Sequence, residues 1–281
     1  MKTKDLMTRR AWLAGMAAGA GALAAPRFVQ AQQPPRLDVP YVPTAQHVVD
    51  RMLTIAKVTK DDFVMDLGCG DGRMLVTAAA KFGAKGGYGV DINPERIKEA
   101  KANALKAGVA DKVTFEIRDL FTMPINQASV LTMYLLPSVN LKLRPRILDE
   151  MKPGSRIVSH DFNMDDWRPD YFEAMEGHDI YFWIVPAKAE GEWAVRIGDD
   201  DYTLSVQQKF QYFVGSLRAV KSRQESLIRM GRINGSVITF IAEGDDGRSQ
   251  LFSGRIDGAR MTFDTSTLPA AVEGWSAEKK K

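Results

Sequence analysis

Two hydrophobic rhythms divide this chain. Between about residues 63 and 185, short apolar runs alternate with stretches whose apolar positions return every three or four residues. The runs at 63–67, 86–90, 113–117, 130–136 and 156–159 read as strands. The periodic stretches at 73–81, 94–106 and 141–151 read as helices. A further helix is expected over 45–55, with Val48, Val49, Met52 and Leu53 on one face and Thr44 placed to cap it. The run at 130–136 is apolar throughout, as in a strand buried on both faces. Runs at 171–175 and 179–185 supply last strands, closed by Pro186. This alternation predicts an α/β fold with a doubly wound sheet. Such sheets bind ligands beyond the carboxyl ends of their strands.

From Glu190 the rhythm changes. Seven short runs follow, at 192–197, 202–208, 212–217, 226–233, 237–242, 250–256 and 260–263. Turn signals separate them, among them Asn234-Gly235 and Asp257-Gly258. The spacing predicts a small antiparallel all-β domain, barrel or sandwich, over 189–276, with a basic tail at 277–281.

The amino end follows neither rhythm. Lys2, Lys4 and Arg9-Arg10 precede an Ala- and Gly-rich run from 11 to 25, and Val29-Gln30-Ala31 offers a cleavage point. Residues 1–31 are expected to be a signal peptide of the twin-arginine type. The run is short for a membrane span of about 20 residues, so no stable insertion is expected once the signal is removed. Residues 32–39, rich in Pro and Gln, read as a linker. A periplasmic location follows, with activity in the cytoplasm before export left open.

Charge changes its meaning once that segment is set apart. The formal net charge of the 281 residues is +3, but residues 1–31 carry +4 and the remainder about −1. A body so close to neutral has no broad basic field for nucleic acid. The one cysteine, Cys69, cannot form an intramolecular disulfide and reads as a small packed residue. No metal is expected, and the oligomeric state is not legible.

The chemistry concentrates in Asp66-Leu67-Gly68-Cys69-Gly70-Asp71-Gly72-Arg73, where a strand breaks into a glycine-rich turn before a helix. A dinucleotide site sets a pyrophosphate against such a turn. Asp66 and Asp71 would repel one, which disfavours a nicotinamide-dependent oxidoreductase, and they would suit a cationic ligand. Asp91 ends the next strand, about 20 residues past the glycines, where a ribose diol is gripped.

These residues resemble a class I methyltransferase dependent on S-adenosylmethionine (SAM). Pro40-Tyr41-Val42-Pro43-Thr44, residues 48–53, Asp66 to Arg73, Tyr134-Leu135-Leu136-Pro137-Ser138-Val139-Asn140 and Val158-Ser159-His160 extend the resemblance to the small archaeal and mitochondrial protein-lysine methyltransferases, over about 38–187. It implies a Rossmann-like methyltransferase domain over 40–188, SAM as cofactor and a protein lysine as acceptor. It implies a cofactor site of Tyr41, Thr44, Asp66, Gly68, Cys69, Gly70, Gly72, Asp91, Ile92, Asp119 and Leu120. It implies an acceptor channel lined by Tyr41, Tyr134, Pro137, Ser138 and His160, with His160 and Tyr134 as candidate catalytic groups. The motif after the fourth strand has no amide or carboxylate to hold a planar amino group, which counts against nucleobase and glutamine substrates. Two readings stay beside this one: a small-molecule methyltransferase, and an exported non-catalytic protein that keeps the fold for binding.

Overall fold

The computed structural model describes residues 41–243, 247–264 and 271–280. The expected signal peptide and linker lie outside the described residues.

The first rhythm folds into a seven-stranded sheet. Its strands are β1 (Phe63–Leu67), β2 (Gly86–Asp91), β3 (Val113–Ile117), β4 (Val130–Met133), β5 (Arg156–His160), β6 (Tyr171–Met175) and β7 (His178–Ile184). Their order is β3-β2-β1-β4-β5-β7-β6. The first five strands pair in parallel, and β7 and β6 are added antiparallel. Helices α1 (Gln46–Ile55), α2 (Arg73–Ala80), α3 (Pro94–Lys106) and α4 (Pro137–Glu150) cover the sheet. Adjacent strand residues serve opposite faces, as the pleat requires. Val64 joins a core with Val48, Leu53, Leu75 and Ala100, whereas Met65 joins one with Leu143, Ile147 and Trp183. The strand order reverses between β1 and β4, which opens a crevice at their carboxyl ends.

Local chemistry sets the helix starts. Asn93 accepts from the Glu95 N–H at 3.0 Å, and Pro94 supplies a φ already suited to a first turn. Pro137 does the same for α4. The apolar run expected as a strand over 130–136 therefore leaves the sheet after Met133, and α4 begins four residues before the expected 141. Thr44 does not cap α1. Ala45 holds that place without a side-chain bond, and the Thr44 hydroxyl turns inward to His160 instead.

The second rhythm folds into nine strands among the described residues. They are β8 (Gly191–Ile197), β9 (Asp200–Lys209), β10 (Tyr212–Ala219), β11 (Glu225–Leu227), β12 (Arg229–Asn234), β13 (Val237–Glu243), β14 (Ser249–Asp257), β15 (Arg260–Phe263) and β16 (Trp275–Lys279). Because β9 pairs with both β8 and β10, and β16 pairs back onto β8, eight of them close into an antiparallel barrel with β11 at its side. The run expected as one strand over 226–233 is two. The tail expected over 277–281 is not one through Lys279: Ala277 to Lys279 pair with Val195 to Trp193, and the Lys279 ammonium lies over the Trp193 ring.

The barrel interior is filled. Phe240 and Phe252 stack at 4.7 Å between centroids, Trp275 meets both edge-on, and Trp193, Leu204 and Ile238 are fully buried. Barrel and sheet are joined by polar contacts at a buried seam. Gln211, 1% exposed, accepts from the Trp167 indole at 3.0 Å and donates to the Arg168 carbonyl at 2.7 Å. Arg232 reaches Asp170 at 2.9 Å.

Candidate cofactor cleft and active site

A cleft of about 1020 Å³, its open mouth included, lies over the carboxyl ends of β1, β2 and β4. Its floor is the turn from Gly68 to Gly72. Gly68 and Cys69 both donate to the Val90 carbonyl at 2.9 Å, which folds the turn against β2. Gly70 takes φ 51°, and a Cβ there would stand 2.4 Å from the Tyr41 ring, so only glycine lets Tyr41 close over the turn. The Arg96 guanidinium lies over that ring, 4.4 Å from its centroid.

Three carboxylates face this floor, each held differently. Asp66 is 7% exposed and accepts from the Thr132 hydroxyl at 2.7 Å. Burial pushes its carboxyl up to about 7, and the charges of Asp91 and Asp71 push the same way. No ion pair reaches it among the described residues. Asp71 differs: Arg73 grips both its oxygens, at 2.9 and 2.6 Å, and, despite burial, holds its carboxyl below the ordinary range. Asp71, expected beside Asp66 to suit a cationic ligand, lines the cleft but is already paired with Arg73. Arg73 also donates to the Thr44 carbonyl at 2.6 Å, tying the entry segment to the turn. Asp91 accepts from the Gly70 N–H at 3.0 Å and the Asn93 N–H at 2.9 Å, which fixes its carboxylate at the mouth.

All of the expected cofactor residues line this cleft except Gly72. Gly72 faces inward: a Cβ there would lie 2.7 Å from Phe115 and 2.8 Å from Ala100, so its role is the packing of α2 on α3 and β3. Asp119 lines the far end, where it also accepts from the Phe121 N–H at 2.8 Å. Cys69 is buried, and that burial raises its thiol well above the ordinary range, which removes it as a nucleophile. Arg73, Arg96, Asn93 and Arg118 line the cleft without having been foreseen. Arg73 and Arg96 stand one turn or less into α2 and α3, a place where an arginine could have been read as facing the turn.

The acceptor side fits the expectation less well. Tyr41 and Tyr134 line the cleft; Pro137, Ser138 and His160 do not. Pro137 and Ser138 open α4 instead of continuing the strand. His160 is 1% exposed and stands behind the wall made by Thr44 and Tyr134. Its Nδ1 lies 3.1 Å from the Thr44 Oγ1, and its ring lies 3.9 Å from that of Tyr134. Burial pushes its imidazole down to about 4, so it is neutral near pH 7. Tyr134 donates to Asp161 at 3.0 Å, and burial raises its phenol, which stays protonated. His160 thus touches the cleft residues Thr44 and Tyr134 without lining the cleft itself.

The donor set suits SAM. A buried carboxylate without a cation of its own matches a ligand that carries cationic groups, and Asp66 is the residue that would hold one. Asp91 and Asp119 would accept from hydroxyl and amino groups, and Tyr41 would close the cleft. Bound SAM supplies an electrophilic methyl group; the protein's part is to align an acceptor and exclude water.

Comparison with known proteins agrees. Residues 66–171 match the family model described as the ANTKMT methyltransferase domain. A protein-lysine N-methyltransferase of Saccharolobus islandicus is 47% identical over 151 residues, 52% of this chain and 94% of its own length. The mouse adenine nucleotide translocase lysine N-methyltransferase is 32% identical over 48% of this chain, which spans 58% of that relative. A solved structure from Salinibacter ruber, titled an RNA methyltransferase in complex with S-adenosylhomocysteine, is 49% identical. It covers 52% of this chain and 95% of its own, with a TM-score of 0.51. On the archaeal relative, matched over nearly its whole length, the chain belongs to the family of SAM-dependent protein-lysine N-methyltransferases.

Proposed function

We propose that this protein transfers the methyl group of SAM to lysine side chains of a protein substrate. The observation that carries the reading is Asp66: a buried, unpaired carboxylate on the cleft floor, in a chain 47% identical to a protein-lysine methyltransferase. A lysine acceptor needs only to lose its proton and meet the methyl group in line. Desolvation in a narrow apolar entry favours that loss. Tyr134, Leu135 and Met133 supply such a wall, and Tyr134, kept as a phenol, can orient an amine without taking its proton.

The 49% identical Salinibacter ruber relative is described as an RNA methyltransferase. The near-neutral body of this chain speaks for protein, because RNA binding draws on clustered positive charge. One experiment separates the two. The full-length protein is incubated with methyl-labelled SAM and an extract of the source cell, split into cytoplasmic and exported fractions. Label recovered as methyl-lysine after hydrolysis supports the proposal, and label in RNA or in small molecules overturns it.

The same fractions test location. The basic n-region, Arg9-Arg10 and the short apolar run support export, and with it a periplasmic mature protein. Mature protein found only in the cytoplasm would contradict export. No described helix is long and apolar enough to cross a membrane.

A further inference from the structure

The chain has three histidines, and their rings run in a row from His160, which touches Thr44 and Tyr134, through His178 to His47. The rings of His160 and His178 lie 4.8 Å apart, and those of His178 and His47 lie 6.4 Å apart. Asp161 completes the group. His160 Nε2 is 3.0 Å from His178 Nδ1 and 3.4 Å from Asp161 Oδ2. His178 Nδ1 is 3.6 Å from Asp161 Oδ1.

We propose that His160, Asp161 and His178 form a site for a divalent cation of the zinc class. Ligands at about 2.1 Å from a tetrahedral zinc ion stand about 3.4 Å from one another. Here one donor atom from each residue lies within 4.8 Å of the others, and each imidazole meets a different oxygen of Asp161, which could close on one ion with both. Two imidazoles and one carboxylate form a donor set that zinc and its neighbours in the first transition row accept. A fourth position opens toward solvent, since the side chains of His178 and Asp161 are 33% and 25% exposed.

The surroundings orient the donors as ligands. The Nδ1 of His160 faces the Thr44 hydroxyl at 3.1 Å, which leaves Nε2 for a cation, the arrangement that fixes a metal-bound imidazole. Asp161 holds φ 58°, uncommon away from glycine. That backbone is kept by an exchange with Asp179: the Asp161 N–H donates to its carbonyl at 2.7 Å, and its N–H donates to Asp161 Oδ1 at 2.9 Å. The Tyr134 hydroxyl supports the other oxygen. His47 is not part of the set, because its Nε2 faces Glu176 at 3.2 Å.

An ion here would do no methyl chemistry itself. It would hold Asp161, and through it the Tyr134 hydroxyl, and it would hold His160 under Thr44. Both cleft-lining side chains would thus be fixed from behind on the acceptor side.

The test is calorimetric titration of Zn²⁺ into the full-length protein stripped with a chelator. One ion per chain is expected, with Kd of about 1 µM or tighter. His178→Gln and Asp161→Asn should each weaken binding about 100-fold or more, and His47→Gln should leave it unchanged. A melting curve on each variant checks that it is folded. Replacement by Co²⁺ in the unaltered chain should give the visible absorption of a four-coordinate ion, a readout that needs no variant. Absence of stoichiometric Zn²⁺ binding, an affinity insensitive to His178→Gln, or a six-coordinate Co²⁺ spectrum would overturn the site.

Discussion

The sheet and the barrel use buried side chains in opposite ways. The barrel spends its interior on packing: Phe240, Phe252, Trp193 and Trp275 fill the space a ligand would need. The sheet also packs both its faces, yet at the ends of β1, β2 and β4 it keeps glycines and carboxylates that packing alone would not select. Asp66 is the sharpest instance, because a buried carboxylate without a cation costs stability unless a ligand meets it. The contrast assigns chemistry to the sheet and leaves the barrel only its outer surface and its seam with the sheet.

Damage to the barrel should cost stability and spare the cofactor. Trp275→Ala removes a buried indole that meets Phe240 and Phe252 and donates to the Ser253 carbonyl at 3.1 Å. A loss of about 3–5 kcal/mol is expected by denaturant unfolding, with SAM affinity unchanged in the protein that remains folded. Damage to the cleft should do the reverse. Asp91→Ala should weaken SAM binding by about 2 kcal/mol, read by calorimetry, because hydroxyls of the ligand lose a charged acceptor. Unaltered affinity would show that the ribose assignment is wrong.

The seam sharpens the comparison. Gln211→Ala leaves the buried Trp167 N–H without its acceptor, a loss of about 1–3 kcal/mol. If the two regions unfold as one, the whole transition shifts; if they unfold separately, the melting curve divides.

The pH dependence of stability and of SAM affinity is the effect most diagnostic of Asp66. Its carboxyl is raised to about 7 in the folded protein against 3.8 unfolded. The folded state therefore holds a proton that the unfolded state releases, and the ligand-free protein loses stability as pH rises from about 4 to 7. Asp66→Asn should remove that loss, giving a higher ligand-free melting temperature at pH 8. SAM affinity of the unaltered chain should fall as pH drops through about 7, and the Asn variant should be weak and flat across the same range.

The cleft was largely legible because its residues are close in sequence and its geometry follows from one strand–turn–helix unit. Asp66, Gly70 and Asp91 sit at strand ends that the apolar runs define. The residues that escaped depend on distance. Asp71 reads as a free carboxylate until Arg73 is seen to grip it. His160 reads as a channel residue, and only the antiparallel return of β7 brings His178 to its side. Tyr134 to Leu136 continue an apolar run, and periodicity cannot say that Pro137 will turn the chain into a helix. Seven spaced runs cannot distinguish a sandwich from a barrel, because the deciding contacts, β9 with β10 and β16 with β8, lie in pairing and not in pattern.

The most direct test is a calorimetric comparison of SAM with NAD on the full-length chain and on Asp66→Asn. One SAM per chain, no binding of NAD, and a marked loss of SAM affinity in the variant at pH 8 are expected. Binding of NAD in place of SAM, or SAM affinity indifferent to Asp66, would contradict the assignment of Asp66 and its cleft to SAM.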